Sequence, residues 1–458
     1  MTERLVVIGA DAAGMSAASQ ARRMRGPHDL EIIAFERSTW VSFSACGEPY
    51  FVGGFVPRIE DLIARTPAEF AARDIDVRIR HEVTAIDTAA RRVAVRDLAG
   101  GRDLSVDYDV LLYAAGARPL RRAIAGADLA GVHELHTLDD ALALRRLVDA
   151  RPRTAVIVGG GYVGLEVAEA FMHEGIATTV VSSGPAVLRP QLDTDMGERV
   201  VAHMRGLGIA VQTETRIECL TGSDGRVTGV GCALDGDEAY FPADVVVLGL
   251  GSVPEVRLAE AAGIPLGESG AVWVDDHLRT RVPGVWAAGD CAEAVHRVSG
   301  QAVNYHLGTI ANKQGRIAGI NIGGGDEVFP GVLGTAITKI CDLEVGRTGL
   351  TEATARDAGF DVIAETFDST TTADYWPESE PMTMKVIADR ASGRLLGAQI
   401  VGGAGAAKRI DAVAMALWNE MTVEAMVNVD LSYAPPFSSV WDPVLIAARK
   451  AADARKER

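Results

Sequence analysis

Hydrophobic positions along this chain come in short blocks, each followed by glycine and then by a helical pattern. Leu5-Val6-Val7-Ile8 is a run of the kind buried on both faces of a parallel sheet. Gly9, Asp11 and Gly14 follow, then a helical segment from Met15 to Met24, then a second apolar run from Glu31 to Phe35 that ends on Glu36. The pattern returns further along. Ala155 to Val158 reads as a strand, Gly159-Gly160-Gly161-Tyr162-Val163-Gly164-Leu165-Glu166 opens a helix, and Thr178 to Val181 reads as the next strand. The apolar-then-glycine segments Val110 to Gly116 and Val245 to Gly251 read as crossovers between two such units. This alternation predicts an α/β fold containing two Rossmann-like domains.

The spacing carries chemistry as well as fold. In a strand–glycine loop–helix unit the first glycine allows a tight turn and the last allows close helix–strand packing, while the helix N-terminus faces a pyrophosphate. Gly9 and Gly14 suit those roles, and Glu36, about 20 residues further on, is placed to accept from ribose hydroxyls. Asp11 departs from the pattern, because it stands where the middle glycine usually lies and a carboxylate there is expected to repel pyrophosphate. The second loop is complete, with Gly159, Gly161 and Gly164. Its second strand ends on Ser182 and Ser183, where an NAD-preferring site usually places an acid. A 2′-phosphate is not repelled there, and the serine hydroxyls with Arg189 are candidates to bind it, so the expectation is NADPH or NADH with a slight preference for NADPH. Two dinucleotide sites in one chain suggest a flavin and a nicotinamide that exchange hydride.

At 458 residues the chain has room for two or three domains. Its residues are 48% hydrophobic and 23% charged, which provides for large cores. A net charge of -17 disfavours nucleic acid and anionic membrane surfaces as partners. No apolar stretch approaches the length of a transmembrane helix, and the apolar start lacks the features of a signal peptide. None of Cys46, Cys219, Cys232, Cys291 and Cys341 forms a C-x-x-C pair, and the histidines (His203, His296 and His306 among them) show no metal-ligand spacing. The expectation is therefore a cytoplasmic protein without a metal site.

A third motif, Thr280 to Asp290, is a turn, a short strand and a glycine-aspartate. These three motifs, in this order, resemble the pyridine-nucleotide–disulfide oxidoreductase family over nearly the whole chain. The resemblance implies an FAD-binding domain in two parts, 1–112 and 248–325, an NAD(P)-binding domain over 113–247, and a C-terminal α/β dimerisation domain over 326–458. Gly323-Gly324-Gly325 is the candidate linker into the last of these. It also implies a homodimer, FAD with NADPH or NADH as cofactors, and cofactor contacts from Ala10, Ala12, Ala13, Arg37, Val83, Ala115, Gly116, Gly251, Gly289 and Asp290 in addition to the residues above.

Ser42-Phe43-Ser44-Ala45-Cys46-Gly47-Glu48-Pro49-Tyr50 is the reactive segment. A helix after this loop is expected to aim its N-terminus at Cys46 and lower the thiol pKa. Val41 and Phe51 fill both positions that could complete a C-x-x-x-x-C pair, so single-cysteine chemistry is the reading. Among single-cysteine relatives, oxidases and peroxidases place a histidine where Ala12 stands. The chain is more similar to coenzyme A-disulfide reductases, which share Ser-Phe-x-x-Cys and two C-terminal tyrosines, matched here by Tyr375 and Tyr433. That resemblance implies reduction of coenzyme A disulfide to two thiols by NAD(P)H through a Cys46–S–S–CoA mixed disulfide. It also implies that Tyr375 and Tyr433 assist from the partner subunit, with Tyr433 near the cofactor as well. The substrate contacts it implies are Ser16, Gln20, Arg23, Ser42, Arg73 and Asn312, with Arg22 beside Arg23 as a further phosphate-suited guanidinium. Ala45 replaces an asparagine contact, and Glu48 stands where relatives are commonly apolar. The alternatives are a persulfide or polysulfide reductase, an NAD(P)H oxidase on the same scaffold and, further off, a non-catalytic redox sensor. Cys291 reads as a buried filler, and Cys219, Cys232 and Cys341 as structural residues in strands.

Overall fold

The computed structural model describes residues 2–234 and 237–456. Glu3–Ile8 is the middle strand of a five-stranded parallel sheet, flanked by Leu30–Glu36 and Val110–Tyr113, with Ile75–Ile79 and Val285–Ala287 at the edges. Leu5, Val6 and Val7 have no exposed surface, which is why this strand reads as an unbroken apolar run. Helix α1 (Ala12–Met24) starts directly after the first glycine loop, three residues before the helical pattern in the sequence does.

Thr154–Val158 holds the same central place in a second five-stranded parallel sheet, between Ala177–Val181 and Val245–Leu248. The helix between the loop that follows α1 and this sheet is short: α2 (Glu48–Val52) follows Cys46. Its Phe51 and Val52 are buried with Leu138, Ala141 and Leu144 of α3 (Leu138–Asp149) and with Ala168 and Phe171 of α4 (Tyr162–His173). The cysteine segment, which belongs in sequence to the first sheet, is thereby anchored in the core of the second.

Helix α5 (Gly308–Ile322) lies along α1. A Cβ on Gly315 would stand 2.2 Å from the Ala13 carbonyl oxygen and one on Gly319 2.4 Å from that of Ala17, so glycine at these positions sets the close approach. The C-terminal part is a five-stranded antiparallel sheet, Ala336–Ile340, Leu343–Gly349, Leu395–Gly402, Pro381–Asp389 and Val362–Thr370 in spatial order, packed with the helix Pro443–Ala454. The fold is thus α/β, as the alternation predicts. Cys219 and Cys232 lie in strands, but Cys341 does not. It occupies the tight turn between Ala336–Ile340 and Leu343–Gly349 with φ +58°, a conformation the apolar pattern around it does not reveal. Among the described residues no helix is long and apolar enough to cross a membrane.

Candidate active site

The first glycine loop is held too tightly for side chains. Gly9 has φ +97°, and a Cβ there would meet the Ala114 carbonyl oxygen at 2.2 Å; one on Gly14 would meet the Gly9 oxygen at 2.0 Å. Glu36 closes the loop from the next strand, accepting from the Ala10 N–H (3.1 Å) and the Ser38 N–H (2.8 Å). Asp11 precedes α1 as its N-cap residue, but its carboxylate makes no cap bond and instead accepts from the Phe43 N–H at 3.0 Å. The Ser42 N–H donates to the Ala10 carbonyl alongside it. The middle-glycine departure therefore has a structural role: Asp11 pins the cysteine loop to the glycine loop. Burial pushes its pKa up to about 6 against the opposing pull of the Phe43 and Ala12 N–H groups.

Cys46 lies in a single 3-10 turn, Ala45–Gly47, which runs straight into α2. The residue is exposed. Its thiol is nevertheless pushed up from the ordinary value, first by the protein mass around the sulfur and then by the Glu166, Glu48 and Asp290 carboxylates. This reverses the sequence expectation of a lowered pKa. Helix α2 has only five residues and carries Pro49 in its first turn, so it offers few free N–H groups and little dipole to set against three acids. Those acids are themselves perturbed. Burial, then Asp140 and Asp11, push Glu48 up to about 8. Burial pushes Glu166 up to about 7 although it accepts from the Thr338 hydroxyl at 2.9 Å. Burial and Asp11 push Asp290 up to about 6.

The second loop repeats the glycine geometry. Gly159 has φ +121° and a Cβ there would stand 2.0 Å from the Gly249 oxygen; one on Gly164 would stand 2.3 Å from the Gly159 oxygen. Gly161 caps α4 and faces open space. Ser182, at the end of Ala177–Val181, is half-buried beneath Gly160, while Ser183 is exposed. The Arg189 guanidinium folds back over Gly184, and among the described residues it forms no ion pair. Of the three residues singled out for a 2′-phosphate, Ser182 thus lies by Gly160, Ser183 is exposed and Arg189 lies by Gly184.

Residues 3–315 match the family described as pyridine nucleotide-disulphide oxidoreductase, and residues 335–444 match the dimerisation domain of that family. The chain belongs to the pyridine nucleotide-disulphide oxidoreductase family. It is an enzyme of the NAD(P)H-dependent flavoprotein kind. It is 38% identical to a "NAD(P)H sulfur oxidoreductase (CoA-dependent)" of Pyrococcus abyssi, over 97% of each chain. An "NADH oxidase" of Methanocaldococcus jannaschii is 33% identical over 98% of each. A "Coenzyme A disulfide reductase" of Staphylococcus haemolyticus is 30% identical over 98% of this chain and 99% of that one. Among solved structures, a NAD-dependent persulfide reductase from A. fulgidus superposes with a TM-score of 0.95 at 38% identity, covering 99% of this chain and 84% of that one.

This family uses FAD with NAD(P)H, and the residues present fit both. The two glycine cradles leave no room for a Cβ, Gly116 and Gly251 face open space, and the Asp290 carboxylate accepts no hydrogen bond among the described residues. Val83 is buried, Ala115 is half-buried and Arg37 is exposed beyond Glu36. Sequence reasoning missed Gln314, a fully buried amide on α5 that accepts from the Gly289 N–H at 2.8 Å and so fixes the backbone before Asp290. Gln314 stands between Lys313 and Gly315 in a helix that also carries Asn312, Arg316 and Asn321, so nothing in the sequence set it apart. Sequence reasoning also missed Thr338, the partner of Glu166.

The expected substrate contacts fall into two sets. Ser16 donates to Asn312 (2.7 Å) and Arg23 to Gln20 (3.0 Å), which brings these four together along the seam of α1 and α5. Arg22 leaves the set, because its guanidinium donates to the Arg25 and Asp74 carbonyls. Ser42 stands in the cysteine loop with φ +45°, and Arg73 is exposed after a short helix, Pro67–Ala71. Tyr375 and Tyr433 lie near one another and are 70% and 46% exposed; among the described residues neither bonds to the Cys46 loop. Asp275, Asp276 and His277 are the one group among the described residues with metal-ligand proximity, but both His277 ring nitrogens already face Asp276 and Asp326.

Proposed function

We propose that this protein is an NAD(P)H-dependent reductase of sulfur–sulfur bonds carried on coenzyme A, acting through Cys46. Persulfide or polysulfide stands first as substrate and coenzyme A disulfide second, because relatives with sulfur and persulfide in their names are 38% identical and the coenzyme A disulfide reductase 30%. The observation that carries the reading is a lone exposed cysteine, with no second cysteine in its loop, anchored both to the first glycine loop and to the core of the second sheet. A single thiol reduces a disulfide only by forming a mixed disulfide with part of the substrate.

FAD held by the first glycine loop, Glu36 and Asp290 would supply the two-electron chemistry that links the nicotinamide to sulfur. The Cys46 thiolate attacks one sulfur of the substrate, the S–S bond breaks, and the departing thiolate leaves with the electron pair. Two-electron reduction of the Cys46 mixed disulfide then restores the thiolate and releases the second thiol. Glu166, near neutrality in its ionisation, is placed on the helix of the second loop to hold a proton beside this exchange. Tyr375 and Tyr433, exposed and near one another, are assigned to the partner subunit's site in a homodimer, where their hydroxyls donate to the leaving sulfur. Ser16, Gln20, Arg23 and Asn312, with Ser42 and Arg73, are assigned to the coenzyme A moiety.

The test is anaerobic oxidation of NADPH and of NADH by FAD-loaded protein, offered coenzyme A persulfide, polysulfide or coenzyme A disulfide, with wild type beside Cys46→Ser. The expected result is turnover that requires a sulfur substrate and Cys46, faster with persulfide than with disulfide. Absence of sulfur-dependent turnover, with rapid consumption once air is admitted, overturns the reading in favour of an oxidase.

A further inference from the structure

Glu48 is the residue of the cysteine segment that departs from an apolar position, and its surroundings explain neither a structural nor an ion-pair role. It is the first residue of α2, two positions after Cys46, and only 4% exposed. Its Oε1 is buried without any hydrogen-bond partner. A carboxyl in that state is costly as an anion and retains its proton.

The charged groups around α2 deepen the effect. From the first glycine loop Asp11 faces Glu48, and from α3 Asp140 does. From α4, Glu166 acts on Cys46, and Glu166 with Glu169 acts on Tyr50 of the same short helix. The cations packed nearby are engaged elsewhere: Arg145 of α3 reaches the Val52 carbonyl, Asp149 and Glu174, and His173 of α4 stacks on Phe55. Among the described residues none pairs with Glu48. The acids acting on Cys46 thus include one that has no donor of its own.

We propose that Glu48, buried without a partner two residues from Cys46, is a positioning residue whose charge governs the cysteine, so that Cys46 ionises readily only while Glu48 stays protonated. A buried carboxyl without a donor and a thiol two residues before it, with no cation paired to either among the described residues, do not both ionise at low cost, and their proton losses then belong to the pair rather than to either residue. The thiolate needed for attack then forms with Glu48 neutral, and alkaline ionisation of Glu48 holds the thiol back. The inference rests on the reading of Cys46 as the redox cysteine.

The experiment is the pH dependence of Cys46 alkylation by iodoacetamide in pre-reduced, FAD-loaded protein, with the labelled peptide quantified by mass spectrometry. Wild type, Glu48→Gln, Glu48→Met and Glu48→Asp are compared without any sulfur substrate. Wild type is expected to show two steps. Glu48→Gln and Glu48→Met are expected to show one step at lower pH, with alkylation about fivefold faster near pH 8. Glu48→Asp is expected to recover part of the second step, which a packing role would not produce. A one-step wild-type profile, or superimposable wild-type and Glu48→Gln profiles, overturns the proposal. The readout does not involve turnover, so retained activity in Cys46→Ser would defeat the redox reading without touching the measured coupling.

Discussion

The two glycine loops are built alike and used differently. In both, the first glycine has positive φ and faces a carbonyl oxygen at about 2 Å from where a Cβ would be, and the last glycine packs on the first. They differ at the middle position and at the end of the second strand. Asp11 ties the first loop to the cysteine segment through Phe43, and Glu36 holds the loop with one carboxylate oxygen on the Ala10 N–H while the other accepts from Ser38. Gly161 leaves the second loop open, with Ser182 by Gly160, Ser183 exposed and Arg189 by Gly184. The first loop is thus part of a fixed framework around Cys46, whereas the second is a mouth suited to a ligand that comes and goes.

The largest expected effect comes from filling the cradles. Gly9→Val places a branched side chain against the Ala114 carbonyl at a positive φ, and is expected to cost several kcal/mol, about 3 or more, and to abolish flavin retention. Gly159→Val is expected to retain flavin absorbance yet lose nicotinamide binding. Equal flavin loss in both variants would break the comparison.

Glu48, which faces the Asp11 loop, gives the next effect. Its folded value of about 8 lies above the ordinary 4.5, so between those values the folded state holds a proton that the unfolded chain has lost. This carboxyl therefore penalises the fold increasingly as pH rises from about 4.5 to about 8. Glu48→Gln is expected to gain stability relative to wild type over that window, by about 1–3 kcal/mol at its upper end, read as a Tm difference that widens with pH. A constant difference would show that the carboxyl is not buried as its environment indicates.

Asp11 sharpens the contrast directly. Asp11→Asn keeps an acceptor for the Phe43 N–H and is expected to be near neutral in stability, while Asp11→Gly, which gives the first loop the form of the second, leaves that donor unpaired at a cost of about 1–2 kcal/mol. Thermal unfolding of the FAD-loaded variants checks this, and faster Cys46 alkylation in the glycine variant would confirm that the tether restrains the cysteine loop. The smallest effect concerns cofactor choice. Ser182→Asp is expected to raise the KM for NADPH about tenfold with NADH little changed, and Arg189→Ala to act the same way more weakly. Unchanged KM ratios would remove these residues from the 2′-phosphate edge.

Most of the framework could be read along the chain. The central strands announced themselves because residues buried on both faces must all be apolar, and the glycine spacings because only glycine tolerates the φ and the carbonyl contacts found at Gly9 and Gly159. The lone Cys46 and the altered positions Asp11 and Glu48 were visible as residue types. Their consequences were not. That Asp11 holds Phe43, that Arg22 is spent on the Asp74 carbonyl, and that Gln314 props Gly289 depend on which groups meet across tens of residues.

The sign of the shift at Cys46 is the plainest case. A helix start after a cysteine suggests a lowered pKa, and that inference is local. The direction is set first by burial of the thiol and then by Glu166, Glu48 and Asp290, of which Glu166 and Asp290 arrive from distant segments. By itself the sequence determined the two nucleotide-binding units, the single cysteine and the family, because backbone sterics and burial impose their pattern on neighbouring residues. Only the tertiary structure decided the protonation of the site, because electrostatic energy depends on distance and solvent access in space and not on separation along the chain.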